Sequence, residues 1–127
     1  MTQENKNLLL KDLCGRLPYG VKIQVNDRVE TLEGIGILDN VAEYGSFLSC
    51  DIEEIKPYLF PLSSMIENLR NEYQDKRVEL ELKALNNEIE YEEVTTFEVD
   101  FYLKNHFDYR GLIPMGLAID ATGLNIY

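Results

Sequence analysis

Apolar residues at Leu9, Leu10 and Leu13 fall on one side of a helix and predict a short helical segment over Leu8–Leu13. Asn7 is placed to cap its start and Gly15 lies just past its end. Leu17-Pro18-Tyr19-Gly20 breaks it. From Val21 the period changes to two: Val21, Ile23 and Val25 alternate with Lys22, Gln24 and Asn26, as in a half-buried strand. Asn26-Asp27-Arg28 reads as a turn. The strand pattern resumes in Val29–Glu33 and Ile35–Leu38, with Gly34 positioned for a bulge or kink. Ser46–Cys50 is a further strand after a turn at Tyr44-Gly45. Strands so short and so closely spaced predict a small antiparallel sheet, curled and SH3-like, over residues 18–62.

Ile55–Met65 reads as an extended apolar connection, because Pro57 and Pro61 forbid a helix there. Ser64 and Glu67 have the spacing of a capping box, opening a helix through Ile66, Leu69 and Tyr73. Residues 78–93 fit two patterns. Val78, Leu80, Leu82, Ile89 and Tyr91 alternate as in a hairpin turning at Asn86-Asn87, while Val78, Leu82, Leu85 and Ile89 also form a helical stripe. The hairpin is the reading adopted. Thr95 and Glu98 make a second capping box with Val94 and Val99 as its staple, predicting a helix from Thr96 to about Asn105. Gly111, Pro114, Gly116 and Gly123 keep the tail irregular. The expected fold is a single α+β domain over 1–127, with a β-rich part at 18–62 and a mainly helical part at 63–127. It comprises a short N-terminal helix, the SH3-like sheet, and two further helices packed through Tyr58, Phe60, Leu69, Tyr73, Phe97 and Phe101.

Composition narrows the function classes. The 127 residues, 45% hydrophobic and 28% charged, suit one folded domain with its own core. A net charge of −11, from 12 Lys+Arg against 23 Asp+Glu, offers no basic stripe for a phosphate backbone. Direct binding to DNA, RNA or an anionic membrane is therefore disfavoured, whereas a basic partner is allowed. No apolar run approaches the ~20 residues that cross a bilayer. The opening Met1–Asn7 lacks the features of a signal peptide, so a cytoplasmic location is expected. Cys14 and Cys50 sit in apolar surroundings, Leu13-Cys14 and Phe47-Leu48-Ser49-Cys50, and reduced thiols used as small core residues are expected.

Candidate chemistry concentrates in Asn105–Ala118. His106 and Asp108, two apart, would share a face if extended, as an acid–base or metal pair requires. A single histidine with one carboxylate is too few ligands for zinc, so no metal and no cofactor is expected, and helix-end contacts are the preferred role. Arg110 is expected to pair with an internal carboxylate. Gly34-Ile35-Gly36 lacks the remainder of a nucleotide-binding fingerprint. Glu88-Ile89-Glu90-Tyr91-Glu92-Glu93 could imitate a phosphate backbone, though a solvated acidic face accounts for it more simply. Without a basic groove, Tyr58 and Phe60 are expected in the core rather than stacking on bases. No Ser-His-Asp arrangement is legible.

Three stretches carry a resemblance: Leu8–Val21 (LLLKDLCGRLPYGV), Ile55–Met65 (IKPYLFPLSSM) and Asn105–Ile113 (NHFDYRGLI). Together they resemble an uncharacterised group of small proteins encoded by Bacteroides-type gut bacteria and by their phages or mobile elements. The resemblance implies that provenance and no chemistry; the segment between Ile66 and Thr96 departs from the group. The expected function is a non-enzymatic accessory or protein-interaction role, with a protein partner. The contact surface is expected around His106, Asp108, Tyr109, Arg110, Leu112 and Met115. The alternatives are an acidic nucleic-acid mimic that inhibits a DNA- or RNA-binding host protein and, less favoured, a hydrolase using His106 and Asp108.

Overall fold

A computed structural model describes residues 1–127 and shows an α+β fold of three helices and a six-stranded mixed sheet. Helix α1 spans Gln3–Arg16, longer at both ends than its leucine cluster suggests. The Thr2 hydroxyl, not Asn7, caps it by accepting from the Asn5 amide at 3.1 Å. Gly15 lies inside the helix, where an added Cβ would come 3.1 Å from Leu103. One short turn of tighter helix, Leu17–Tyr19, follows, and Gly20 at φ 68° ends it.

The strands are β1 (Lys22–Val25), β2 (Arg28–Gly36), β3 (Val41–Tyr44), β4 (Leu48–Asp51) and β5 (Lys56–Leu59). Asn26 and Asp27 both take positive φ, the mirror-image turn that matches the twist of a tight hairpin. β2 is continuous, and its register with β3 slips between Leu32 and Gly34, which places the irregularity at Glu33, next to the expected glycine. The sheet order is β4-β3-β2-β1-β5-β6, where β6 is the short strand Ile119–Asp120. β6 runs parallel to β5, pairing Tyr58 with Ile119 and Leu59 with Asp120. The sheet is thus mixed and open, not wholly antiparallel as expected. The discrepancy lies in the tail, where Ala118–Ala121 is too short and too poor in β-formers to signal a strand by pattern.

Residues 78–93 correct the expectation of a β-hairpin. Helix α2 runs Glu67–Leu85 and helix α3 runs Tyr91–Lys104, with Asn86-Asn87 turning between two helices. Ion pairs Lys76–Glu79, Lys83–Glu79 and Arg77–Glu81 lie three or four residues apart, an arrangement only a helix supplies. Neither expected capping box forms. The Ser64 hydroxyl donates to the Pro61 carbonyl, and Thr95 lies within α3. α3 starts earlier because Val94 is needed in the interior, where it is fully buried.

One cluster forms the main core: Leu9 and Leu13 from α1, Val21, Ile23 and Val25 from the β1 region, Ile55 and Leu59 around β5, and Leu112, Leu117 and Ala118 from the tail. α2 and α3 are joined by a separate aromatic cluster. Tyr73 of α2 stacks on Phe97 at 5.7 Å and tilts against Phe101 at 4.7 Å, and Arg77 pairs with Glu98 at 2.6 Å. Cys14 is exposed and Cys50 half-buried, so the former is not the core residue its neighbours suggested. No helix is long and apolar enough to cross a membrane.

Candidate functional site

The residues richest in chemistry meet at one joint. Asp12 and Arg16 lie one turn apart on α1, both fully buried, with Arg16 Nε donating to Asp12 Oδ2 at 2.7 Å. Arg16 Nη2 donates to the Phe107 carbonyl at 2.7 Å, fastening α1 to the segment after α3. Arg110 Nε reaches the other carboxylate oxygen of Asp12 at 3.2 Å, so the expected internal partner of Arg110 is Asp12. The Tyr109 ring lies against both guanidiniums, 4.8 Å from that of Arg110 and 5.9 Å from that of Arg16. Burial pushes the Tyr109 hydroxyl above its usual pKa, opposed by Arg110.

Asp108 does not face His106. Its two carboxylate oxygens accept from the Leu112 and Ile113 amides, each at 2.8 Å, and so close the turn that passes through Gly111 at φ 76°. His106 itself sits at φ 62° just beyond the C-terminal end of α3, and its amide donates to the Leu103 carbonyl. Its ring stacks on Tyr127 with centroids 3.7 Å apart. The Tyr127 hydroxyl donates to the Tyr58 carbonyl at 2.6 Å and accepts from the Lys22 amide at 2.8 Å, tying the chain end to β5 and β1. Burial, reinforced by the positive charges of Arg16 and Lys22, lowers the His106 pKa to about 4. The imidazole is therefore neutral over the ordinary pH range.

The backbone completes the joint. The Phe60 amide donates to the His106 carbonyl, and the Asp108 amide donates to the Phe60 carbonyl, both at 2.8 Å. His106, Asp108, Tyr109 and Arg110 are gathered within one neighbourhood, but each is turned to a neighbouring element. Leu112 is fully buried in the core and Asp108 nearly so, which removes them from any exposed patch. Of the six residues expected to form a contact surface, Met115 is the one on open surface, 45% exposed. Leu112, Leu117 and Ala118 of this tail are absorbed into the main core, with Ile113 packed against it. No group of three or more His, Cys, Asp or Glu side chains is arranged to hold a metal ion.

Exposed apolar surface lies elsewhere. α2 buries none of its residues, and Val78, Leu82 and Leu85 are 53%, 56% and 78% exposed. Tyr91, at the start of α3, is 62% exposed beside them. Positions 78, 82 and 85 fall on one helical face, opposite the half-buried Tyr73 and Leu80. The signal was visible as the alternative helical stripe, and reading 78–93 as strands concealed it. Four acids, Glu88, Glu90, Glu92 and Glu93, follow in the turn after α2 and at the start of α3; all are exposed and none forms an ion pair. A second exposed group, Ile37, Leu38 and Phe47, occupies the loops of the β-meander. No family model matches the chain, and neither does any curated protein or any solved structure.

Proposed function

We propose that this is a non-enzymatic interaction protein whose contact surface is the outer face of the α2–α3 hairpin. A phage or mobile-element origin, a cytoplasmic location and an SH3-like character of the β-meander belong to the same reading. The observation that carries it is the apolar row Val78, Leu82 and Leu85 on a helix that buries no residue of its own. A long helix on the rim of a small domain normally sinks one apolar stripe into the core and turns a polar face outward. Here the inward side of α2 meets aromatic residues of α3, while leucines remain on the outward side. Exposed apolar residues in a continuous row mark contact sites more often than scattered ones do.

The experiment is site-specific photo-crosslinking in cells of the native host. A photoreactive residue replaces Leu82 in one variant and the exposed Arg28, on the β-meander, in another. A defined protein adduct from position 82 that is absent from position 28, and is lost on adding Leu85→Glu, supports the hairpin as the contact. Equal labelling from both positions, or none from 82, removes the proposal.

A further inference from the structure

The outer face of α2 is not uniformly charged, and this bears on what covers it. Along α2, Glu67, Glu72, Asp75, Glu79 and Glu81 stand against Arg70, Lys76, Arg77 and Lys83, leaving −1 of the chain's −11 on this helix. Two of the acids beside the apolar row are already compensated, Glu79 lying against Lys76 and Lys83 and Glu81 against Arg77, while Asp75, one turn before Val78, has no ion-pair partner. Beyond Leu85 the balance changes abruptly. Asn86–Glu93 carries Glu88, Glu90, Glu92 and Glu93 with no Lys or Arg, and these four lack ion-pair partners. A groove of about 320 Å³ lined by Glu81, Ala84, Leu85 and Tyr91 opens at the same place.

Taking the hairpin as the contact surface, we propose that its occupant is a basic amphipathic helix of another protein. The apolar side of that helix lies along Val78, Leu82 and Leu85, and its lysines or arginines meet Glu88, Glu90, Glu92 and Glu93. The spacing of the row, four and then three residues, is that of one helix laid along another. The anionic end supplies orientation and charge complementarity. A second copy of this chain fits less well. It would bring −11 against −11 and has no basic cluster of its own to set against the four glutamates. Nucleic acid and anionic lipid are repelled by the same charges.

The test uses the full chain and a fluorescein-labelled peptide of about 18 residues, long enough for some five helical turns. Leucines occupy one helical face and lysines the others. A peptide of the same composition with permuted order, and an oligolysine of equal charge, serve as comparisons. Anisotropy titrations are run at ~50 and ~200 mM salt. The amphipathic peptide is expected to bind at least about tenfold tighter than either comparison, and Leu82→Gln/Leu85→Gln to weaken it by at least about tenfold. Replacing Glu88, Glu90, Glu92 and Glu93 by Gln should weaken binding and remove most of its salt dependence. Glu4→Gln/Asp39→Asn/Glu43→Gln/Glu54→Gln, the same number of charges lost from exposed positions elsewhere, should leave it unchanged. Leu82 and Leu85 are exposed, so their replacement should leave the melting temperature in place.

Three results overturn the inference. One is equal binding of the permuted peptide or oligolysine, which is plain charge attraction of the kind a nucleic-acid mimic would show. The second is indifference to Leu82→Gln/Leu85→Gln. The third is a dimer in sedimentation that this double variant dissociates, which assigns the face to a second copy. Any of these with a position-82 adduct still present refutes the partner's chemistry and leaves the hairpin as a contact surface.

Discussion

Asp12→Ala tests whether the joint between α1 and the tail is the keystone of the fold. The carboxylate is fully buried and serves two cations: it holds Arg16 at 2.7 Å and Arg110 at 3.2 Å. Removing it leaves the Arg16 guanidinium buried with one remaining acceptor, the Phe107 carbonyl, while Arg16 Nη1 is already without a partner. Alanine is the best helix former, so the loss registers in the pairing and not in α1 itself. Breaking a buried pair by removing one partner costs about 3–5 kcal/mol, most of it from the uncompensated charge left behind. For a domain of this size each kcal/mol moves the melting temperature by about 3–4 °C, so a fall of about 10–20 °C is expected. Arg110→Ala should cost at most about 1 kcal/mol, since that side chain is partly exposed and its bond longer. The decisive comparison is Asp12→Leu/Arg16→Met, which removes both charges and keeps apolar volume. It should melt above Asp12→Ala, because no buried charge is left alone. Calorimetry and urea unfolding read all three. A shift under about 3 °C for Asp12→Ala, or a double variant less stable than the single one, refutes the reasoning.

Other contacts of the tail yield further expectations. His106 is held neutral, with its pKa at about 4 against 6.5 for a free imidazole, so the unfolded chain binds the extra proton first as pH falls. Stability should be fully retained above pH ~6.5 and decline towards pH ~4, by about 1–2 kcal/mol once water at the ring's open edge is allowed for. His106→Asn, which tolerates the positive φ, should flatten the wild-type-minus-variant difference in urea midpoints across that window. Tyr127→Phe removes the hydroxyl that bridges the Lys22 amide and the Tyr58 carbonyl, at a cost of about 1–2 kcal/mol. Because burial raises the Tyr127 pKa to about 12, wild type should also lose stability between pH ~10 and ~12 as the unfolded phenol ionises first, and Tyr127→Phe should lose less. Asp108→Ala strands the Leu112 and Ile113 amides and should cost about 1–3 kcal/mol, read by thermal melting and by faster exchange of those two amides.

The period-two strand at Val21–Val25 is legible because Val21, Ile23 and Val25 are all buried on one face and the turn that follows carries Asn26 and Asp27, residues that accept positive φ. The irregularity next to Gly34 could be read for a similar reason: a break in alternation is itself a signal. β3 was not legible, since Val41–Tyr44 is brief and follows a polar turn. β6 was less so, being two residues that pair only because the chain returns beside β5. The strand-like pattern at 78–93, between the two helical segments that the sequence does predict, has a definite cause. Alternating Leu and Glu satisfies both periods when a helix is apolar on its inward and outward sides, as α2 is. Only length and the three- and four-residue charge spacing separate the two, and a 19-residue helix outweighs a short hairpin on both grounds.

The same physics explains why the segment densest in reactive side chains turned out to be structural. Asn105–Leu112 has to connect the end of α3, the edge of β5, the buried side of α1 and the chain terminus within a few residues. Apolar packing has no direction and cannot fix four elements at once, whereas a carboxylate, a guanidinium and backbone amides can, each through bonds of set geometry. Asp108 therefore spends both oxygens on its own turn, and Arg16 and Arg110 converge on one carboxylate. His106 lies flat against Tyr127, its ring kept neutral by the burial that lets it stack. A surface for partners needs the opposite: side chains that gain little from their own fold. Val78, Leu82 and Leu85 meet that condition, since the aromatic contacts between α2 and α3 hold the helix without them. The most ordinary stretch of this sequence is thus where contact with another molecule would cost the fold least.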